Sequence, residues 1–133
     1  MKRHLGKLVF LAVVTLIVSG CTSSAVPSGT YDTFAQCLTD KGAKMYGAYW
    51  CPHCQDQKEQ FGDSFGKVTY IECATPGNPN VMTKECKDAG IEGYPTWVFS
   101  DGSRVSGQQT FETLSQKSGC PLPGTTDQAN TNQ

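Results

Sequence analysis

Trp50-Cys51-Pro52-His53-Cys54 constrains this chain more than any other stretch. Two cysteines three positions apart can close a small disulfide, and their flanks say what setting it has. Lys44-Met45-Tyr46-Gly47-Ala48-Tyr49-Trp50 is compact, partly apolar and aromatic, and predicts a strand. Gln55 to Phe65, with Phe61 and Phe65 four apart on one face, predicts a helix. A cysteine at such a strand-to-helix junction faces the helix N-terminus, whose partial positive charge lowers a thiol pKa and favours the nucleophilic thiolate. The bland reading of the same five residues is a structural bridge or half a zinc site. No second Cys-x-x-Cys or paired histidine completes a metal set, so no metal is expected.

The ends belong to something other than the fold. Met1-Lys2-Arg3-His4 and Lys7 make a cationic start, Leu8 to Val18 is an apolar run short for a bilayer span, and Ser19-Gly20 are small. This predicts a secretory signal over residues 1–20. Val18-Ser19-Gly20-Cys21 resembles a bacterial lipobox, which would make Cys21 the lipid-modified first residue; the alternative is an ordinary signal that leaves Cys21 a spare thiol. Removing the signal takes Lys2, Arg3 and Lys7 and leaves eight basic against twelve acidic residues, a net charge of −4. No basic cluster remains, which argues against nucleic acid as a partner. An exported, oxidising setting permits disulfides, and setting Cys21 aside leaves an even six cysteines, enough for three bridges.

Residues 21–30 are small and polar and read as a flexible tether; residues 121–133, rich in Pro, Gly, Thr, Asn and Gln, read as a disordered tail. Between them lies one domain, residues 31–120. Its expected elements are a helix over Tyr31–Lys41, the strand Lys44–Trp50 and its helix, and a strand over Val68–Cys73. A loop over Ala74–Asn80, with two prolines and a glycine, leads to a helix over Val81–Ala89. A strand over Thr96–Ser100 turns at Asp101-Gly102 into a weaker strand over Ser103–Gly107, and a last helix over Thr110–Ser118 is capped by Thr110. That order predicts an α/β domain with a mixed central sheet, helices on both faces and an antiparallel hairpin strand.

Together, Trp50-Cys51-Pro52-His53-Cys54 and Gly93-Tyr94-Pro95-Thr96 resemble the thioredoxin superfamily. The resemblance implies a thioredoxin-like fold with Pro95 cis beside the dithiol, offering a backbone edge to an incoming peptide. A narrower resemblance runs from about Phe34 to Gly119. Met45 to Cys54, Gln57-Lys58-Glu59, Phe61-Gly62, Ile71-Glu72-Cys73 and Gly93 to Trp97 look like the thioredoxin-like domain attached to bacterial and plant vitamin K epoxide reductase (VKOR) homologues. In that family the domain passes disulfides between substrate proteins and a quinone-linked membrane enzyme. The fused membrane helices are not in this sequence; a lipid on Cys21 would hold the domain at the membrane beside a separate VKOR-like or DsbB-like partner.

Cys51 is expected to be the attacking thiol, the exposed member at the helix start, and Cys54, one turn in, the resolving one, with no cofactor beyond their disulfide. Pro52 and His53 also occur between the cysteines of strongly oxidising DsbA-type proteins. His53 would stabilise the Cys51 thiolate by charge or hydrogen bond, against the alternative of an exposed residue with no redox role. Trp50, Tyr94 and Pro95 are candidates for binding unfolded substrate; the alternative for the two aromatics is packing. Lys58 and Glu59 read as a solvated helix face. Met45 stands where many thioredoxins carry a buried acid, with water or Glu72 as possible substitutes.

Cys37, Cys73, Cys86 and Cys120 allow three pairings that sequence does not choose between. The resemblance favours Cys73–Cys86, which leaves Cys37 to Cys120; against the latter, the superfamily places its first and last helices on opposite sheet faces. Staples are expected, with electron shuttling to Cys51–Cys54 as the alternative. The function expected is a membrane-anchored, extracytoplasmic oxidase of exported cysteine-containing proteins. The rivals are a reductase or isomerase on the same fold, and a non-catalytic binding module stapled by disulfides.

Overall fold

The computed structural model describes residues 28–123. The expected signal over residues 1–20, Cys21, most of the expected tether and the expected tail beyond residue 123 lie outside the described residues.

Helix α1 (Asp32–Asp40) forms because Phe34, Ala35 and Leu38 fall on one face. It stops at Gly42, whose φ of +79° is a left-handed turn that glycine adopts without a steric penalty. Strand β1 (Lys44–Gly47) is shorter than the strand read to Trp50. Beyond Gly47 the chain turns, with the Cys51 N–H donating to the Ala48 carbonyl at 3.0 Å. The aromatic Tyr49 and Trp50, which favoured a strand, instead stand exposed on that turn.

Helix α2 (Pro52–Phe61) starts three residues earlier than expected, because Cys51 itself is the cap. It also ends before Phe65: Gly62, at φ +56°, breaks the α-helix, and Gly62–Lys67 continue as a 3-10 segment. Strand β2 (Tyr70–Glu72) follows. The expected loop is then a hairpin, β3 (Ala74–Thr75) and β4 (Asn78–Met82), turning at Pro76-Gly77. A register shift between Ala74 and Thr75 lets this small sheet accommodate Pro79, which has no N–H to donate. Helix α3 (Lys84–Asp88) is capped by Thr83 and shorter than the stretch read from Val81, because Val81 and Met82 belong to β4. Strands β5 (Thr96–Val98) and β6 (Arg104–Ser106) form the second hairpin. Helix α4 (Phe111–Ser118) is capped by the Thr110 hydroxyl, which accepts the Thr113 N–H at 3.2 Å.

The main sheet has the order β2-β1-β5-β6, with β2 parallel to β1 and the other pairings antiparallel. Register aligns Tyr70, Met45, Trp97 and Val105 in one row across it. That row faces the main core, where Phe34 and Leu38 of α1, Cys54 and Phe61 of α2 and Leu114 of α4 are buried. Each such apolar side chain contributes about 1.5–3 kcal/mol by leaving water. Phe61 is the hub, with ring centroids 4.7 Å from Phe111 and 6.2 Å from both Phe34 and Trp97. The alternate residue Tyr46 faces a smaller cluster with Cys73, Cys86 and Ile91 under α3. Helices thus cover both faces, but α1 and α4 share one. The objection to joining Cys37 to Cys120 therefore does not hold: their Cα atoms lie 5.9 Å apart and they are bridged, as are Cys73 and Cys86.

Candidate active site

Cys51 sits at the cap of α2 with extended backbone (φ −78°, ψ 119°) and is buried rather than exposed as expected, because its sulfur turns in to cap the helix. Its Sγ accepts the Cys54 N–H at 3.2 Å, so the sulfur occupies the place where a helix start presents unpaired donors. Pro52 is the first helical residue, where its missing N–H costs the helix no bond. Cys54, one turn on, is fully buried beneath, and the pair is in the dithiol form. Burial first, and then the hydrogen bond with Cys51, pushes the Cys54 thiol up to about 12.

Gly47 makes room for this sulfur. A Cβ there would sit 3.0 Å from Cys54 Sγ, 2.9 Å from Tyr70 Cε2 and 3.2 Å from its hydroxyl oxygen. Cys54 and Tyr70 therefore both fill the space left by the missing side chain at the end of β1. The Tyr70 hydroxyl donates to Glu72 Oε2 at 2.9 Å, while Glu72 Oε1 accepts the N–H groups of Ala74 (2.8 Å) and Tyr49 (3.3 Å). Glu72 so ties β2, the hairpin and the active-site turn together. Burial, and then this bond to Glu72, raises the Tyr70 phenol well above its ordinary range.

Lys58 is not the freely solvated lysine that its sequence context suggests. It is half-buried, with Nζ 3.9 Å from the Tyr70 ring centroid and 5.6 Å from that of Phe65. Glu59 is exposed, as expected. Met45, where an acid was weighed, is fully buried in the core. His53 lies at the surface, its side chain 71% exposed and Nδ1 3.8 Å from Asp56 Oδ2.

Gln57 escaped the sequence reading. It is fully buried; its Oε1 accepts from Trp97 Nε1 at 3.2 Å and from the Gln109 N–H at 2.7 Å. Its Nε2 donates to Gln60 Oε1 at 2.9 Å and to the Gln109 carbonyl at 3.2 Å. The signal was present in the spacing Cys54, Gln57, Phe61, which puts all three on one helix face.

The Tyr94–Pro95 peptide is cis, directly ahead of β5, and Pro95 is fully buried with its carbonyl accepting the Gly107 N–H at 2.8 Å. A dithiol on the helix after the central strand, a cis proline before the neighbouring antiparallel strand and the order β2-β1-β5-β6 are accounted for together by one architecture. The domain has a thioredoxin-like fold. In this thioredoxin-like site Tyr94 packs edge-on against Trp50, centroids 6.0 Å apart. Burial, Glu72 and the two cysteines raise its phenol in turn, which places all of them in one electrostatic neighbourhood. The Trp50 indole N–H donates to the Pro79 carbonyl at 3.0 Å, so the unexpected hairpin braces the first residue of the motif.

No family model matches the chain. Among curated proteins it is similar to the thiol-disulfide oxidoreductase LTO1 of Arabidopsis thaliana, with 36% identity over 149 aligned residues. The match takes in 95% of this chain, which spans 38% of that relative's length. Among solved structures it is similar to oxidized glutaredoxin 2 of Chlamydomonas reinhardtii, at 20% identity and a TM-score of 0.38 over 68% of this chain and 94% of that one. So low a score adds nothing to the thioredoxin-like assignment, which rests on the strand order, the cysteine pair and the cis proline.

Proposed function

We propose that the chain is a protein thiol–disulfide oxidoreductase that works through Cys51 and Cys54. The observation that carries the reading is the placement of the pair: both thiols are buried, and Cys51 Sγ caps the helix start and accepts the N–H of Cys54 one turn below it. The similarity to a relative named a thiol-disulfide oxidoreductase supports it.

In the oxidising direction a substrate thiolate attacks Cys51 Sγ of the Cys51–Cys54 disulfide. That bond breaks, its electron pair goes to Cys54 Sγ, and Cys54 takes up a proton. The second substrate thiolate then attacks its own sulfur in the mixed disulfide and releases Cys51 as a thiolate, so the substrate dithiol is oxidised and the enzyme reduced. The α2 start receives the charge left on Cys51. Trp50, Tyr94 and the edge at cis Pro95 receive the substrate chain.

The direction, location and partner belong to the same proposal. Pro52-His53 favours an oxidase, the signal-like start favours export, and Cys21 in its lipobox-like setting favours a lipid anchor facing the periplasm or another extracytoplasmic space. The VKOR-associated resemblance favours recycling by a quinone-linked membrane enzyme, with exported cysteine-containing proteins as substrates. The reduction potential of the Cys51–Cys54 couple in a glutathione buffer tests the direction. An oxidase is expected at about −120 to −180 mV; a value near about −270 mV would make the protein a reductase and overturn the oxidase assignment.

A further inference from the structure

Whichever sulfur reacts first, Cys54 must carry negative charge in the transition state. It is the leaving group when the internal disulfide is attacked and the nucleophile when a mixed disulfide on Cys51 is resolved. The site is hostile to that charge, since Cys54 is fully buried. Burial and the Cys51 hydrogen bond push its thiol up to about 12, while the Ala48 main chain and the charge of Lys58 pull the other way.

Lys58 is placed for this. It lies four residues after Cys54 on α2, and so on the same helix face. Its ammonium rests 3.9 Å from the Tyr70 ring centroid, a cation–π distance. The edge of that ring and Cys54 Sγ both crowd the point where a Gly47 Cβ would stand, at 2.9 and 3.0 Å. The Tyr70 hydroxyl is engaged by Glu72 at 2.9 Å, which fixes the ring under the ammonium. Phe65, with Nζ 5.6 Å from its centroid, adds a second aromatic contact for the lysine. The other titratable groups of this neighbourhood are Cys51, Tyr70, Glu72 and Tyr94. Among the described residues, Lys58 is the cation that acts on Cys54.

We propose that Lys58, held over the Tyr70 ring, is a positioning residue whose ammonium stabilises the developing Cys54 thiolate in both directions of exchange. This inference rests on the redox role of Cys51–Cys54 proposed above. Lys58 forms no bond to sulfur in the step. It offsets the charge arriving on Cys54 when the S–S bond breaks, until that sulfur takes its proton. By the dependence of exchange rates on thiol pKa, each pH unit of depression at Cys54 gives about a threefold faster step.

The test compares wild type, Lys58→Met and Lys58→Arg in the full chain. Stopped-flow reduction of the Cys51–Cys54 disulfide by dithiothreitol at pH 7 gives the rate, and a glutathione titration gives the potential. Lys58→Met is expected to react at least about threefold more slowly, and Lys58→Arg to regain most of the loss. The potential is expected to stay put, because Cys54 keeps its proton in the reduced protein at neutral pH with or without the lysine. Unchanged rates in Lys58→Met, equal losses in both variants, or a potential that moves as far as the rate would each overturn the role. A wild-type Cys51–Cys54 bond that dithiothreitol opens no faster than Cys73–Cys86 would instead sink the redox reading itself, and this inference with it.

Discussion

Cys54 links a local desolvation to the stability of one redox form. Its folded pKa is raised, by burial first, from 9.0 to about 12. A group whose folded pKa is raised stabilises the fold fully below its unfolded pKa, and that stability is lost as pH rises through the folded value. The reduced protein should therefore lose stability between about pH 9 and about pH 12 from this thiol. The oxidised protein has no proton at Cys54 to lose. Tyr70 is raised chiefly by burial and by Glu72, neither of which the disulfide removes, and so cancels in the comparison to first order. Thermal melting of the two forms across that window is expected to show the reduced form falling faster with pH; parallel curves would mean that Cys54 is not the buried, proton-holding sulfur described above. The residue-level reading of the motif was sound for position, since Cys51 and Cys54 stand at a strand-to-helix transition. It was blind to Lys58, because a cation held by an aromatic ring from another strand leaves no mark in local spacing.

Among the elements, the most exacting junction is the one made by Gln57. Its amide joins α2 to β5 through Trp97 and to the segment before α4 through Gln109. Gln57→Ala would strand the Trp97 indole N–H and the Gln109 N–H. Each unsatisfied buried donor costs about 1–3 kcal/mol; with the Gln109 N–H only part-buried and so near the low end, a loss of about 2–4 kcal/mol is expected in urea unfolding, and a loss under about 0.5 kcal/mol would show that water replaces the amide freely. Helix and strand order was legible because periodicity and Gly punctuation survive in the sequence, as at Gly42 and Gly90. Boundaries were not. Aromatic Tyr49 and Trp50 argued for strand by propensity, yet capping by Cys51 claimed the turn. Pro76 and Pro79 argued for loop, yet cross-strand pairing made a hairpin whose Pro79 carbonyl serves Trp50.

For the whole molecule, the two bridges differ in reach. Cys73–Cys86 spans 13 residues and Cys37–Cys120 spans 83. In the loop-entropy model closures of these sizes contribute about 3 and about 4–5 kcal/mol. The paired replacement Cys37→Ser with Cys120→Ser should thus destabilise the domain more than Cys73→Ser with Cys86→Ser, as read by denaturant midpoints. The reverse order would mean that the reduced, unfolded chain keeps α1 and α4 together by other means. This bridge was undervalued from sequence because the sheet face occupied by a terminal helix depends on packing of the entire chain: Phe34 and Phe111, 5.3 Å apart, bring α1 and α4 together.

The Cys37–Cys120 bond also closes nearly the whole domain into a covalent ring. A protease cut in any loop between those two residues would leave one connected molecule rather than two pieces. Tension applied to the segments on either side would run through sulfur and bypass the sheet. If one end is tethered and the other is drawn away, the strands around Cys51 and Cys54 feel none of that pull.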